Sequence, residues 1–189
     1  YGLTETYGHV TQCVWREEWD GLAFDEQADL QSWQGVAFPM HEGAAVMNTD
    51  TGEMVPRDGE TQGEIVLRGN AVMKGYYRNE AATSESLRDG WFFSGDAAVW
   101  HPNGYIQIKD RLKDVIISGG ENISSVEVEG FLYRHPAVAA AAVVAKPDEK
   151  WGEVPCAFVE LKPGETVGEA EFLDWCRGQM AGFKRPKQV

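Results

Sequence analysis

Short apolar runs separated by turn residues fill the middle of the chain, and they restrict the fold more than any other feature of the sequence. Apolar residues at 44–47 and 65–67 are separated by Asp, Thr and Gly at 50–52. Runs of about 4–8 residues with such boundaries are typical of β-hairpins. A Pro-Asn-Gly sequence at 102–104 supplies a further turn. We therefore expect a small sheet or barrel in the first part of the chain.

Other segments of the first part carry weaker signals. Residues 1–36 have no clear hydrophobic period, so we expect mostly loop, with a short helix near 25–32. Residues 79–87 are predicted to be helical. Residues 90–96 are predicted to form a strand that ends in a tight turn, before another strand at 97–100.

After residue 109 the pattern changes to strands that alternate with amphipathic helices. Ser124 and Glu127 have the spacing of a capping box, which predicts a helix from there to about His135. A second helix is predicted at 169–180, where apolar residues recur at helical spacing. Strands are predicted at 115–118, 138–145 and 156–161, with a loop at 119–122, and the Ala-rich strand is expected to be buried.

The change of pattern between Asp110 and Asp114 predicts a domain boundary. We expect an α+β chain with two parts, residues 1–112 and residues 113–189. The longest apolar run, the nine residues 137–145, is about half of what a membrane-spanning helix requires. The chain starts without Met, basic region or apolar leader, so we expect it to be a piece of a longer protein.

Charge and cysteine content limit the function classes. The formal net charge is −13, which argues against a nucleic-acid-binding module because such modules need basic charge over phosphates. Cys13, Cys156 and Cys176 match neither a disulfide framework nor a zinc site, and they predict a reducing, cytoplasmic location. The four histidines are scattered without metal-ligand spacing.

Three clusters combine glycine with acidic or basic residues. They lie at 1–5, at 94–96 and at 110–124. Each alone has a plain structural interpretation, because turns that contain Gly and an acid are common. The second, for example, fits an Asp that caps its own turn.

The order and spacing of these clusters resemble those of the AMP-forming acyl-CoA synthetases. These enzymes belong to the adenylate-forming superfamily, which also includes luciferases and peptide-synthetase adenylation domains. The matching segments cover nearly the whole chain and are Tyr-Gly-Leu-Thr-Glu at 1–5, Gly-Glu-Ile-Val-Leu-Arg-Gly at 63–69, Val-Met-Lys-Gly-Tyr-Tyr at 72–77, Trp-Phe-Phe-Ser-Gly-Asp at 91–96, Gly-Tyr-Ile-Gln-Ile-Lys-Asp-Arg at 104–111 and Asp-Val-Ile-Ile-Ser-Gly-Gly-Glu-Asn-Ile-Ser at 114–124.

The resemblance implies a nucleotide-binding role for five positions. Tyr1 matches the aromatic residue that packs on adenine, and Thr4 matches a contact to the α-phosphate. Glu5 matches a Mg²⁺ ligand, and carboxylate oxygen suits this hard cation. Asp96 matches the acid that accepts hydrogen bonds from the ribose hydroxyls, and Arg111 matches a basic residue that reaches the ribose and phosphates.

The resemblance also implies a reaction in two halves and a mobile domain. A carboxylate attacks the α-phosphate of ATP to give acyl-AMP, and coenzyme A (CoA) then displaces AMP. Lys113 matches the hinge about which the small domain rotates between the halves. Gly119, Gly120 and Glu121 match the loop that lines the CoA tunnel. The expected architecture is the β-rich, distorted-barrel end of the large adenylating domain, followed by a small α+β C-terminal domain.

Two catalytic elements of the family match nothing in this chain. The Gly-rich loop for the β- and γ-phosphates lies upstream in the family and the adenylation lysine lies downstream, so neither Lys184 nor Lys187 is assigned that role. We therefore expect this segment to be inactive by itself.

Residues 1–8, followed by the segment at 15–19, resemble the branch that acts on short- to medium-chain fatty acids and methylthiopropionate-type acids. A homodimer is an expected assembly. Two alternatives are an acyl-AMP ligase that loads a carrier protein and a non-catalytic interaction module in which Asp96 and Arg111 form an ion pair.

Overall fold

The structure is a computed structural model that describes residues 1–189. The chain forms two compact units. The first unit is Tyr1–Ile108 and the second is Lys109–Val189. The division lies a few residues before the boundary predicted at residue 113. The fold class expected from the sequence, a β-rich first part followed by a small α+β part, is confirmed.

The first unit is built almost entirely from strands. Its helices are α1 (Phe24–Ser32) and α2 (Glu80–Ser86), with 3₁₀ turns at Thr4–Thr6 and Glu17–Trp19. Its strands are β1 (Gly2–Leu3), β2 (Gly8–His9), β3 (Thr11–Gln12), β4 (Val36–Ala37), β5 (Gly43–Met47), β6 (Gln62–Arg68), β7 (Leu87–Arg88), β8 (Trp91–Trp100) and β9 (Ile106–Arg111), the last of which continues into the second unit.

The main sheet of the first unit has five strands. Its order is β5-β6-β8-β7, and β9 also pairs with β8. Alternate side chains of a strand face opposite sides of the sheet. Ile65 and Leu67 of β6 pack with Val46 in one apolar cluster, whereas Val66 packs with Ala45 in another. Strand β6 is therefore buried on both faces, which explains its continuous apolar run.

The prediction of separate strands at 90–96 and 97–100 is wrong, because β8 runs without a break from Trp91 to Trp100. Its pairing with β6 shifts register, with Val66 opposite Phe93 but Glu64 opposite Ala97. Strand β8 therefore bulges between these two pairs. Gly95 lies in the bulge with φ +79°, a backbone conformation that glycine adopts readily.

The second unit is a four-stranded antiparallel sheet with two helices. The sheet order is β11-β10-β13-β12. Val128 and Leu132 of one helix and Phe172 and Cys176 of the other are buried with Ile116 of the sheet. The elements are β10 (Ile116–Ser118), β11 (Glu121–Ile123), α3 (Ser125–Leu132), β12 (Val138–Asp148), β13 (Gly152–Leu161) and α4 (Glu169–Cys176).

Several predictions for the second unit need correction. The expected loop at 119–122 is a β-hairpin turn, and β11 begins at Glu121. Both helices end earlier than predicted. Strand β12 forms at an edge of the sheet. Six of its eleven residues are exposed, and only Val138 and Val143 are buried.

The cap of α3 is half of the predicted capping box. Ser124 Oγ accepts a hydrogen bond from Glu127 N at 3.0 Å, as the prediction requires. The Glu127 carboxylate instead accepts hydrogen bonds from Lys184 Nζ at 2.6 and 2.7 Å.

Among residues 1–189, none of the helices has the length and apolar character that a membrane span requires.

Candidate functional site

Two residues from opposite ends of the first unit meet at a buried carboxylate. Tyr1 Oη donates a hydrogen bond to Asp96 Oδ2 at 2.5 Å, although the residues are 95 positions apart in the sequence. Asp96 is 7% exposed, and the Tyr1 ring packs beside the apolar cluster that contains Val10 and Phe92. The structure thus places two of the predicted nucleotide-binding residues in direct contact.

The bulge of β8 determines where Asp96 lies. Ser94 Oγ donates a hydrogen bond to Ile65 O at 2.9 Å and accepts one from Asp96 N at 3.1 Å. Gly95 N donates to Glu64 Oε1 at 2.7 Å. Two side chains, Ser94 and Glu64, therefore bind consecutive backbone amides of the bulge.

Glu64 is a residue of this site that the sequence analysis missed. It is 5% exposed, and burial raises the pKa of its carboxyl group, with a smaller contribution in the same direction from Asp96. The hydrogen bond from Gly95 and the charge of Arg88 oppose this rise. A charged residue directly before the apolar run at 65–67 was the available signal, because buried carboxylates are rare unless they have partners.

Thr4 and Glu5 lie on the 3₁₀ turn Thr4–Thr6. The turn is held by Thr6, whose buried hydroxyl accepts a hydrogen bond from Leu3 N at 3.1 Å and lies 3.0 Å from Leu3 O. Tyr7 closes the turn with φ 56°. This arrangement leaves the side chain of Thr4 exposed and that of Glu5 half-exposed.

Glu5 is connected to the segment that follows β6. Tyr76 Oη donates a hydrogen bond to Glu5 Oε1 at 3.0 Å, and Met73 N donates to Glu5 O at 2.7 Å. Burial raises the pKa of Tyr76, and the hydrogen bond to Glu5 raises it further. Tyr76 therefore keeps its proton and orients the carboxylate. Tyr76 belongs to the motif at 72–77, but the sequence alone predicts no role for it.

Arg111 and Lys113 lie in a tight turn of the second unit. Asp114 N and Val115 N both donate to Arg111 O, at 2.9 and 3.1 Å. The side chains of Arg111 and Lys113 are exposed. The carboxylate of buried Asp110, immediately before the turn, accepts a hydrogen bond from Ser125 N at 2.5 Å. Asp110 therefore ties the turn to the start of α3.

Gly119 and Gly120 form the turn between β10 and β11, and Glu121 follows it with an exposed side chain. Their φ angles are 61° and 89°, the left-handed region that favours glycine. Gly119 N donates to Trp151 O at 2.8 Å. A Cβ at position 119 would lie 2.7 Å from Trp151 Cε3, so any side chain there would require the tryptophan ring to shift.

The predicted residues therefore fall into two groups. Tyr1, Thr4, Glu5 and Asp96 belong to the first unit, and the residues from Arg111 to Glu121 belong to the second. No group of three or more His, Cys, Asp and Glu side chains with metal-binding geometry occurs in residues 1–189. Glu5 is a single half-exposed carboxylate, which suits Mg²⁺ because this ion often takes one or two carboxylates together with substrate phosphates.

Two family models match parts of the chain. Residues 1–77 match the family described as AMP-binding enzyme, and residues 127–189 match its C-terminal domain. All of the chain aligns with an acetate–CoA ligase of Humulus lupulus at 57% identity and with a peroxisomal acetate/butyrate–CoA ligase of Arabidopsis thaliana at 54% identity. The chain spans 34% of the length of each of these two relatives.

The chain also resembles solved structures of two ligases. The o-succinylbenzoate CoA synthetase of Bacillus subtilis, in complex with its acyl-adenylate intermediate, covers 100% of the chain with a TM-score of 0.82 and 32% identity. The ATP-bound MatB of Rhodopseudomonas palustris covers 84% of the chain with a TM-score of 0.76 and 36% identity. The chain covers 36% and 32% of these two structures, respectively.

Proposed function

Because this chain belongs to the AMP-binding enzyme family, we propose that it is part of an ATP-dependent ligase that joins a carboxylic acid to CoA through an acyl-AMP intermediate. The observation that carries the proposal is the contact between Tyr1 and the buried carboxylate of Asp96. A buried acid beside an aromatic ring offers hydrogen-bond acceptors and an apolar face, the two features that an adenosine needs. The experiment that tests the proposal compares CoA with a carrier-protein thiol as acyl acceptor.

Asp96 would bind the ribose and Tyr1 the adenine. The two oxygens of a carboxylate have about four lone-pair positions, so Asp96 can accept from Tyr1 and also from sugar hydroxyls. The hydrogen bond from Tyr1 fixes the ring beside the carboxylate. The same contact would therefore place the base and the sugar relative to each other.

Thr4, Glu5 and Arg111 would act on the phosphates. Thr4 would contact the α-phosphate through its hydroxyl, and Arg111 would add charge-assisted hydrogen bonds. Glu5 would hold Mg²⁺, which supplies positive charge that stabilises the phosphate oxygens when bound. Tyr76 would keep the Glu5 carboxylate in position. Catalysis of this half-reaction would rest on positioning and charge stabilisation.

The second half-reaction would use residues of the second unit. Lys113 would be the hinge, because it lies in an exposed turn and a short segment of this kind can absorb a backbone change. Gly119, Gly120 and Glu121 would line the CoA tunnel, where glycine lets the backbone approach the pantetheine closely. Residues 1–112 and 113–189 would then be the end of the large domain and most of the small mobile domain.

Replacing the hinge residue should separate the two half-reactions. In the full-length protein, Lys113→Pro is expected to leave acid-dependent pyrophosphate release within about two-fold of the parent and to reduce thioester formation by at least about ten-fold, because proline fixes φ. Lys113→Ala is the matched control, since it removes the side chain but not the backbone freedom. Equal losses of both half-reactions in Lys113→Pro would contradict a hinge at this position.

The proposed substrates are short- to medium-chain fatty acids. Relatives that align with the whole chain include ligases named for acetate, butyrate and 2-methylpropanoate, and also one named for trans-cinnamate. Three of these four names specify short aliphatic acids, which supports a role in fatty acid metabolism. We also propose a cytoplasmic location and a homodimer. Three of the relatives are named as peroxisomal, and fractionation of cells that express the full-length protein distinguishes the two locations.

A further inference from the structure

Glu64 binds the backbone immediately before Asp96 and is used by none of the steps above. It lies on β6, the strand that pairs with β8, and it is 5% exposed. Its Oε1 atom accepts a hydrogen bond from Gly95 N at 2.7 Å. Burying a carboxylate is costly, and burial raises the pKa of this one. An acceptor of this kind is retained inside a protein only where it satisfies a specific donor.

The donor that Glu64 satisfies controls the direction of Asp96. The two peptide groups on either side of the Gly95 Cα atom are each bound by a side chain: Glu64 accepts from Gly95 N, and Ser94 Oγ accepts from Asp96 N. Gly95 has φ +79° and no Cβ, so nothing intrinsic fixes its conformation. The two hydrogen bonds fix both peptide planes, and these planes set the direction in which the Asp96 side chain leaves the backbone.

We infer that Glu64 is a positioning residue for nucleotide binding, which acts by holding the Gly95 peptide so that the Asp96 carboxylate faces the sugar hydroxyls. This inference rests on the proposed function, in which Asp96 is the ribose acid. Glu64 itself touches no substrate. Its contribution is the acceptor oxygen at Gly95 N, which a carboxylate has whether or not it is protonated. A glutamine has the same acceptor, so it should replace Glu64 in this role.

The test uses discrimination between nucleotides, because this ratio does not depend on how much of a variant is folded. In the full-length protein, kcat/KM for ATP is compared with kcat/KM for 2′-deoxyATP and 3′-deoxyATP in acid-dependent pyrophosphate release. The parent should prefer ATP by on the order of ten-fold over at least one analogue, because the analogue lacks a hydroxyl that donates a hydrogen bond to a charged group. Glu64→Ala should reduce this preference to about two-fold or less, and Glu64→Gln should keep it.

Asp96→Asn and Ser94→Ala complete the set. Asp96→Asn should also lose the preference, because the charged acceptor itself is changed. Ser94→Ala removes the other side chain that binds the bulge, so it should also weaken the preference. This variant tests the role of the bulge separately if Glu64→Ala does not fold.

Each remaining outcome points to one claim. If Asp96→Asn loses the preference while Glu64→Ala and Ser94→Ala keep the parental value, the positioning role of Glu64 is wrong and the ribose assignment stands. If Asp96→Asn keeps the preference, the ribose assignment in the proposed function is wrong. Loss of the preference in Glu64→Gln would overturn the claim that the acceptor oxygen is what Glu64 contributes.

Discussion

Asp96→Asn is expected to raise the KM for ATP in the full-length protein by about 100-fold. Hydrogen bonds to charged groups contribute about 1.5–3 kcal/mol each, and the proposed ribose contact has two of them. The change preserves the size of the side chain, and an amide oxygen still accepts the hydrogen bond that Tyr1 donates at 2.5 Å. The loss would therefore come from charge and acceptor number and not from collapse of the site. Initial rates at varied ATP concentration measure it.

Asp89→Asn is the matched control for this experiment. Asp89 is an exposed aspartate in the tight turn that leads into β8, with φ 50°, a conformation that asparagine tolerates. We expect its KM for ATP to stay within about two-fold of the parent. A parental KM in Asp96→Asn, with acyl-AMP still formed, would show that the contact between Tyr1 and Asp96 has a purely structural role.

Leu132→Ala is expected to lower the free energy of unfolding of the second unit by about 2–5 kcal/mol. Leu132 is fully buried at the end of α3, where it packs among Ile116, Val138 and Phe172. Removing a buried leucine loses the transfer free energy of the side chain and leaves a cavity. Amide hydrogen exchange in β10 to β13 of the chain under native conditions measures the loss in this unit without relying on a single unfolding transition.

Val126→Ala on the same helix is the control for Leu132→Ala. Val126 is 56% exposed, so its truncation removes little buried apolar surface. Alanine also has a higher helix propensity than valine. We expect a change within about 0.5 kcal/mol, the usual range for surface positions. Similar losses for both variants would contradict the description of Leu132 as part of the core.

The first unit was predictable where neighbouring residues determine the structure. The turn at 102–104 follows from turn chemistry and the strand around 65–67 from its apolar run, and both are present. The continuity of β8 was missed because a bulge depends on the register with β6, which is not encoded locally. Glu64 was missed for the same reason, since its partner, Gly95, is 31 residues away.

The second unit shows how burial escapes prediction even when an element is identified. The Ala-rich run was predicted as a buried strand, and the strand forms, but its place at the sheet edge leaves much of it exposed. A period in the sequence cannot distinguish an edge strand from a central one. The contact of Trp151 with Gly119 could not be predicted either, because it joins two turns that are distant in sequence.

The measurement that tests the central claim most directly is product analysis with two alternative thiols in separate reactions. The full-length protein is supplied with ATP, Mg²⁺, a short-chain fatty acid and either CoA or a carrier protein that bears the phosphopantetheine thiol. Our account predicts equal amounts of acyl-CoA, AMP and pyrophosphate in the reaction with CoA, and no thioester on the carrier. Thioester formed only on the carrier protein, or ATP cleaved to ADP, would contradict it.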